Sequence, residues 1–586
     1  MTSTMSAALE RAAGIPALVR LRAEELPGQI AVLSAAHRQG QVETFLTFQQ
    51  LDQEARRIAS WLQARAPQGA RILLLYASGA RFASAFLGCL YAAMVAVPAP
   101  LPGTYQQQRR RVTSIATDAE VAAVLTEESE WPSVSDWANT EGWDPLPHFV
   151  TDAAGPGDLG DSQAWTMPAV TRETLALLQY TSGSTGDPKG VMVTHGNLLC
   201  NIQSIATGLG LTRPLRVGGW IPLYHDMGLM GHLLTGLCLG GGCVLMSADA
   251  FLRKPLRWLQ LIAQYGIELS ASPNFGYERC VQQPADAAIG GLDLSRWKYA
   301  CNGSEPIKPG TLRAFAARFA DAGFRAESFF PCYGMAEATL FVSGSSGRAP
   351  VVRVIDAVKR EAHEFQPVAH DVPGQAMASS GRPCGVDLRI VDPRTRQALP
   401  EGCIGEIWLR GGGIAQGYWR KEAATRDIFK ARCIDGEGPF LRTGDLGTCL
   451  AGELFVTGRI KELIIVKGRN LYPQDIEQEL RNQHEELATL AGAVFSIPGK
   501  GQEDIIVCHE IRRAPWSVER LREMAVAMRA TVTREFGVNP VGVLLLPSHS
   551  VLRTTSGKVR RGCMRDLFLA RALAPLYQHL DLSLAT

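Results

Sequence analysis

Tyr180 to Gly190 reads YTSGSTGDPKG, which places three glycines, the hydroxyls of Thr181, Ser182, Ser184 and Thr185, and the ammonium of Lys189 between two apolar runs. Glycines let successive backbone N–H groups converge on an oxyanion, and hydroxyls and a lysine add donors and charge. A solvent-exposed Gly/Ser turn has a similar composition, so the rest of the chain has to decide. The nucleotide P-loop does not fit: Pro188 stands where its second glycine belongs, and Gly190 follows the lysine where Ser or Thr is required. The flanks ALLQY and VMV read as short buried strands, which predicts a mobile loop joining two strands rather than a strand feeding a helix.

Working outward, 586 residues exceed what one core can hold and suggest about three to four domain-sized units. A net charge of +2 gives no electrostatic footprint for nucleic acid. The triplet Arg109 to Arg111 is a local exception, expected on the solvated face of a helix that starts after PAPLPG. The 13 cysteines form no CxxC pair, the N-terminus lacks a signal-peptide pattern, and the apolar run FASAFLGCLYAAMVAV is shorter than a membrane span. A cytoplasmic protein without stable membrane insertion is expected. Neither HExxH nor GxSxG occurs.

Strand-like runs such as ARILLLYASG, AAVLTEE and CVLMSADA alternate with amphipathic segments over the first 450 residues, the signature of α/β layering. The character changes near residue 455. The expectation is an α/β protein with a large N-terminal body, residues 1–458, of several subdomains with layered sheets and helices. A hinge at 459–461 would join it to a small mobile α+β lid, residues 462–586.

Seven further motifs follow the loop in order: WIPLYHDMGL (220–229), SPNFGYE (272–278), CNGSEPI (301–307), CYGMAEAT (332–339), RTGDLG (442–447), TGRIKELIIVKGRN (457–470) and RTTSGKVRR (553–561). In this order they resemble the adenylate-forming superfamily of acyl-CoA synthetases, peptide-synthetase adenylation domains and luciferases. The resemblance implies a two-step reaction, in which a carboxylate attacks the α-phosphorus of ATP to give acyl-AMP and pyrophosphate, and a thiol then takes the acyl group. It implies that Thr181, Ser182, Gly183, Ser184, Thr185, Gly186 and Lys189 close over the β- and γ-phosphates, and that Glu337 holds Mg²⁺. Tyr333 would stack on adenine, Asp445 would take the ribose hydroxyls, and Arg459 would support the ribose or a phosphate. Gly303, Ser304, Glu305, Gly334, Met335 and Ala336 would complete the nucleotide site. Lys558 would bridge the substrate carboxylate and the α-phosphate, and Lys461 would be the pivot of the lid.

Amino-acid-activating members carry an aspartate where this chain has His225, although Asp226 is adjacent; together with apolar surroundings this favours a fatty acid. The wording LQYTSGSTG, YHDMGL, SPNF, NGSEPI and GRIKELIIVKGRNLYPQDIE resembles the fatty acyl-AMP ligases most. That branch hands its product to the phosphopantetheine thiol of an acyl carrier protein, or of a polyketide or peptide synthase carrier domain. It also carries an insertion thought to restrict domain movement, placed here at about 350–378. Only 28 residues follow Lys558, so the carrier is expected in trans. A long-chain acyl-CoA synthetase, which would share every adenylation residue, and a non-catalytic adenylate-binding protein are the competing readings.

Overall fold

The computed structural model describes residues 3–581 apart from 36–42, 78, 105, 154–161, 163–164, 182–187, 284–290, 370–371, 373, 467–468, 500–502 and 555–556. The chain forms a mixed α/β body followed by a small C-terminal domain, the expected class. One body sheet has six strands in the order His148–Val150, Ala123–Thr126, Arg71–Leu75, Val95–Ala99, Leu175–Thr181, Lys189–Thr194. All neighbours are parallel except the last pair, which is antiparallel with Thr181 opposite Lys189. The strand pair expected around the opening loop is therefore present.

The second body sheet has nine strands, and its centre is parallel: Phe329–Gly334, Tyr299–Asn302, Leu269–Ser272, Val217–Gly219, Cys243–Leu245 and Ile30–Ser34. Strands covered on both faces favour continuous apolar sequence, as in CVL of Cys243–Leu245; LSAS of Leu269–Ser272 is as fully buried with two serines, of which Ser270 accepts from Trp258 Nε1 at 2.8 Å. Four motifs leave the carboxyl ends of four neighbouring parallel strands: WIPLYHD after Gly219, SPNF at Ser272, NGSEPI after Asn302 and YGMAE at Gly334. Ligand crevices of open α/β sheets lie at that edge, so a common strand polarity gathers residues far apart in sequence.

Helix starts follow local chemistry. Thr47 and Gln50 form a reciprocal capping box for Phe48–Gln63, and Thr194 and Asn197 do the same for His195–Gly208. The apolar run FASAFLGCLYAAMVAV, too short for a membrane span, falls in the buried helix Ala80–Tyr91 and the strand Val95–Ala99 that follows it. A four-stranded antiparallel sheet, Asp387–Val391, Gly405–Arg410, Leu441–Leu450 and Glu453–Arg459, completes the body.

A single 3₁₀ turn, Ile460–Glu462, leads from that sheet into the small domain. There the strands Gly492–Pro498, Glu503–Ile511, Gly542–Pro547 and Tyr577–Leu580 form one sheet, accompanied by helices Pro473–Gln483, Val518–Phe536 and Arg561–Leu569. Within 350–378, strands Val352–Ile355 and Gln375–Ala378 pair as a separate ribbon, with the short helix Ala357–Glu361 between them. Arg360 from this ribbon is 3% exposed; it donates to Asp475 at 2.6 Å and to the Thr457 carbonyl at 3.1 Å, and lies 3.8 Å from the Tyr472 ring centroid. Arg469 forms a two-pronged pair with Glu361, at 2.7 and 2.8 Å. Among the described residues no helix is long and apolar enough to cross a membrane.

Candidate active site

The strand edges and the small domain enclose a cleft of about 2060 Å³ lined by Thr181, Lys189, His225, Glu305, Tyr333, Glu337, Asp445, Arg459 and Lys558 among others. Close backbone approach builds its floor. A Cβ on Gly334 would lie 1.9 Å from the Leu340 carbonyl oxygen, and one on Gly303 would lie 2.7 Å from that of Cys332. Side chains at those positions would force the motif strands apart. Ser304 next to Gly303 holds φ +70°, an uncommon conformation for a non-glycine residue.

At one end Asp445, 4% exposed, accepts from the Tyr333 hydroxyl and from Arg459 Nε, both at 2.7 Å. The strand register sets Asp445 opposite Arg459. Glu406 fixes the loop by accepting from Gly444 N–H at 3.1 Å and pairing with Arg442 at 2.8 Å. Asp445 raises the basicity of Arg459, more than offsetting the latter's burial. Burial, then the Asp445 charge, pushes the Tyr333 phenol well up, so it stays a neutral donor to that carboxylate.

At the other end Glu337 Oε1 accepts from the Tyr418 hydroxyl at 2.8 Å, and Lys189 Nζ lies 5.0 Å from the Tyr418 ring centroid. Burial raises the Glu337 carboxyl above its ordinary range, and the Tyr418 hydrogen bond offsets this in part. Among the described residues no group of three acidic, histidine or cysteine side chains could hold a metal unaided. One half-buried carboxylate facing the cleft suits a hard cation that brings phosphate and water ligands with it.

Lys558 enters from the small domain. Its loop is closed by Thr554 N–H to the Lys558 carbonyl at 2.8 Å and Lys558 N–H to Thr554 Oγ1 at 3.1 Å. Gly557, at φ +83°, sits so close to Phe275 that a Cβ would meet the ring at 2.5 Å. Phe275 N–H in turn donates to Glu305 at 2.5 Å. Burial and then Arg459 push the Lys558 ammonium below the usual lysine range, while Asp445, Asp226 and Glu305 pull it back. Against its own burial, Asp226 is held low by His225, whose Nδ1 lies 2.6 Å away, and by the Met227 N–H.

The same cleft is also lined by Ile205, Leu209, Met227, Gly231, Leu340 and Phe341, an apolar part of its wall. Met227–Leu234 is a π-helix packed so tightly that a Cβ on Gly228 would lie 2.2 Å from the Pro222 carbonyl oxygen. This apolar wall suits a hydrocarbon chain.

The cleft thus brings together Thr181, Lys189, His225, Gly303, Ser304, Glu305, Tyr333, Gly334, Met335, Ala336, Glu337, Asp445, Arg459, Lys461 and Lys558. Ser182, Gly183, Ser184, Thr185 and Gly186 lie outside the described residues. Lys461 is in the connecting 3₁₀ turn. One expectation is corrected. Helix Gln106–Ala119 does begin after PAPLPG, but Arg111 turns into the cleft instead of lying on the solvated face. Tyr418 and Phe275 were missed. Tyr418 sits in GGGIAQGYWR, a run without chemical spacing, and reaches Glu337 because residues 416–419 pair along strand Lys189–Thr194 through Met192 N–H to the Gly417 carbonyl and Trp419 N–H to the Gly190 carbonyl. Phe275 was legible only as part of SPNF.

The fold and this cleft define an enzyme that activates carboxylates as adenylates, and the chain belongs to the AMP-binding enzyme family, which matches residues 19–419. It is 38% identical to the medium-chain-fatty-acid–acyl-carrier-protein ligase JamA of Moorena producens over 90% of each chain. It is 35% identical to the long-chain-fatty-acid–AMP ligase FadD26 of Mycobacterium tuberculosis, over 93% of this chain and 96% of that one. Among solved structures it is similar to a fatty acyl-adenylate ligase of L. pneumophila in complex with acyl adenylate and pyrophosphate, at 33% identity, TM-score 0.74 and 98% coverage of both chains.

Proposed function

We propose that this protein is a fatty acyl-AMP ligase that converts a fatty acid and ATP to fatty acyl-AMP and pyrophosphate, then passes the acyl group to the phosphopantetheine thiol of an acyl carrier protein in the cytoplasm. The observation that carries this reading is a single cleft lined both by Lys558 with Asp226, Glu305 and Asp445 and by the apolar Ile205, Leu209, Leu340 and Phe341. The relatives' names support the fatty substrate and the carrier.

In the first step a carboxylate oxygen forms a bond to the α-phosphorus, and the bond from that phosphorus to the pyrophosphate oxygen breaks. Both reactants are anionic, so the barrier falls where fixed cations meet the developing charge. Lys558 spans the carboxylate and the α-phosphate, Arg459 and Asp445 hold the ribose side, and Tyr333 offers its ring face to adenine. Lys189, with Thr181 and the loop between them, holds the terminal phosphates. Glu337 would hold Mg²⁺, which when bound neutralises phosphate charge. His225 acts beside the carboxylate by keeping Asp226 paired. The apolar wall aligns the acyl chain and excludes water. In the second step the thiolate adds to the acyl carbonyl and AMP leaves. This step needs Lys558 withdrawn, by rotation of the segment after 458 about residues 459–461.

The test is incubation of the purified protein with ATP, magnesium and medium- or long-chain fatty acids, followed by detection of pyrophosphate and acyl-AMP. Holo-carrier protein or coenzyme A is then added. Acyl-AMP with transfer to the carrier is the expected result. Transfer to coenzyme A alone would make the chain an acyl-CoA synthetase, and absence of pyrophosphate a non-catalytic binder.

A further inference from the structure

Arg561 stands three residues beyond Lys558 and opens the helix Arg561–Leu569. The Lys558 turn closes just before it: Arg560 N–H donates to the Leu552 carbonyl at 2.9 Å, and Arg553 pairs with Val559 as a β-bridge. The Arg561 guanidinium is spread over two elements. Its Nε and Nη2 donate side by side to Glu477 of helix Pro473–Gln483, at 2.7 and 2.8 Å, while Nη1 donates to Glu462 at 2.5 Å. Glu477 is buried and also accepts from Val494 N–H at 3.0 Å, so the first pair belongs to the interior of the small domain. Glu462 is different. It closes the 3₁₀ turn Ile460–Glu462 immediately after Lys461, and its side chain is 23% exposed. One carboxylate in a fork-to-fork pair already neutralises an arginine. The small domain does not need the second one for that purpose, and a partly exposed ion pair adds little stability. What Glu462 adds is position, because it joins residues 99 apart in the chain, the first one past the connecting segment and the one at the base of the Lys558 turn.

We infer that Glu462 and Arg561 are positioning residues that fasten the Lys558 turn directly to the connecting segment, so that rotation at 459–461 moves Lys558 into and out of the cleft as one rigid piece. Without this tie the turn still folds on Glu477, but play in the small domain between residue 462 and the turn reaches the lysine. A displacement of about 1 Å at a reacting group costs about 10²-fold in rate. This rests on the two-step adenylation and transfer proposed above.

Arg561 variants would also lose the Glu477 fork, so Glu462 is the residue to change. The test compares the intact protein with Glu462→Ala and Glu462→Gln by steady-state kinetics and amide hydrogen exchange. Glu462→Ala should lower kcat for acyl-AMP formation by about 10- to 100-fold while KM for ATP and for fatty acid stays within about twofold. Glu462→Gln, which keeps an acceptor oxygen for Nη1, should recover most of that loss. In Glu462→Ala the amides of Gly557, Lys558 and Arg560, which donate within the turn, should exchange faster, while helix Pro473–Gln483 and strand Glu503–Ile511 keep their protection. An unchanged kcat in Glu462→Ala, or faster exchange throughout the small domain, would overturn the inference, the latter by making Glu462 an ordinary stabilising residue. Exchange is read without turnover. Loosening confined to the turn in a protein that makes no acyl-AMP would leave the tie standing and sink only the functional reading. Acyl-AMP made equally well by the intact protein and Glu462→Ala would sink only the inference.

Discussion

Lys558 and Glu337 are both half-buried groups in the cleft, and desolvation disfavours the charged form of each. Lys558 is pushed down by burial and by Arg459, and three carboxylates around it keep its proton in place. Lys558→Ala should lower acyl-AMP formation by about 10²- to 10³-fold, the loss typical of a transition-state donor, while transfer from supplied acyl-AMP to the carrier is largely spared. Separate assays of the two half-reactions check this, and an equal loss in both would contradict the assigned role. Glu337 has its carboxyl raised by burial, so the folded ligand-free protein holds this proton more tightly than the unfolded chain does. The charge therefore costs stability once pH climbs past the ordinary carboxylate value of 4.5, and costs nothing below it. Glu337→Gln should raise the melting temperature of the ligand-free protein near neutral pH, with the gain vanishing as pH falls below 4.5, while adenylation falls by about 10²-fold. Thermal melts across pH and a pyrophosphate-release assay test the two halves; a stability loss at neutral pH with turnover intact would return Glu337 to a structural role.

At the scale of elements, the Lys558 turn and the strand edge it docks on are matched in shape. Gly557 combines a positive φ with contact between its α-carbon face and the Phe275 ring, and Phe275 is tied to Glu305 by a backbone hydrogen bond. Gly557→Ala would meet both obstacles, a left-handed backbone disfavoured for alanine by about 1–2 kcal/mol and a ring in the way. The small domain should remain folded, because its main sheet and helices lie elsewhere, but the turn should no longer seat. The expected outcome is a tenfold or larger loss of adenylation with an unchanged circular dichroism spectrum. Full activity in this variant would mean that the turn docks differently during catalysis. The same logic explains why sequence spacing revealed the glycines but not their reasons: Gly334 is required by Leu340, six residues on, and Gly557 by Phe275, far away in the chain.

At the scale of the whole molecule, the ribbon at 352–378 ties the body to the small domain. Arg360 bridges Asp475, the Thr457 carbonyl and the Tyr472 ring, and Arg469 returns the connection through Glu361. These contacts belong to the pose in which Lys558 fills the cleft, so they bias the molecule toward it. A ligand shifts such an equilibrium only through differential affinity for the two poses, and a carrier protein has a far larger docking surface for this than coenzyme A. Arg360→Ala combined with Arg469→Ala should release the tether. Acyl-CoA formation should rise from a trace to a measurable rate, at least about tenfold, with acyl-AMP formation nearly unchanged. No gain, with adenylation preserved, would shift the explanation for acceptor choice to the chemistry of the coenzyme A pocket.

The linear sequence was enough to identify the family and the α/β class, and it named charged groups that the cleft gathers. Motifs such as YTSGSTGDPKG and YGMAEAT are local, and their chemistry follows from residue type and short-range spacing. Alternating apolar runs likewise declare buried parallel strands without any long-range information. Contacts between distant segments decided the rest. Tyr418 reaches Glu337 through an added edge pairing, Phe275 seats the Lys558 turn, and Arg360 locks the ribbon to the small domain. The Arg109–Arg111 triplet shows the boundary most sharply. Three adjacent identical side chains leave a helix at successive 100° steps, so they cannot share one environment, and only the packing of that helix sets Arg111 toward the cleft while Arg110 stays in solvent.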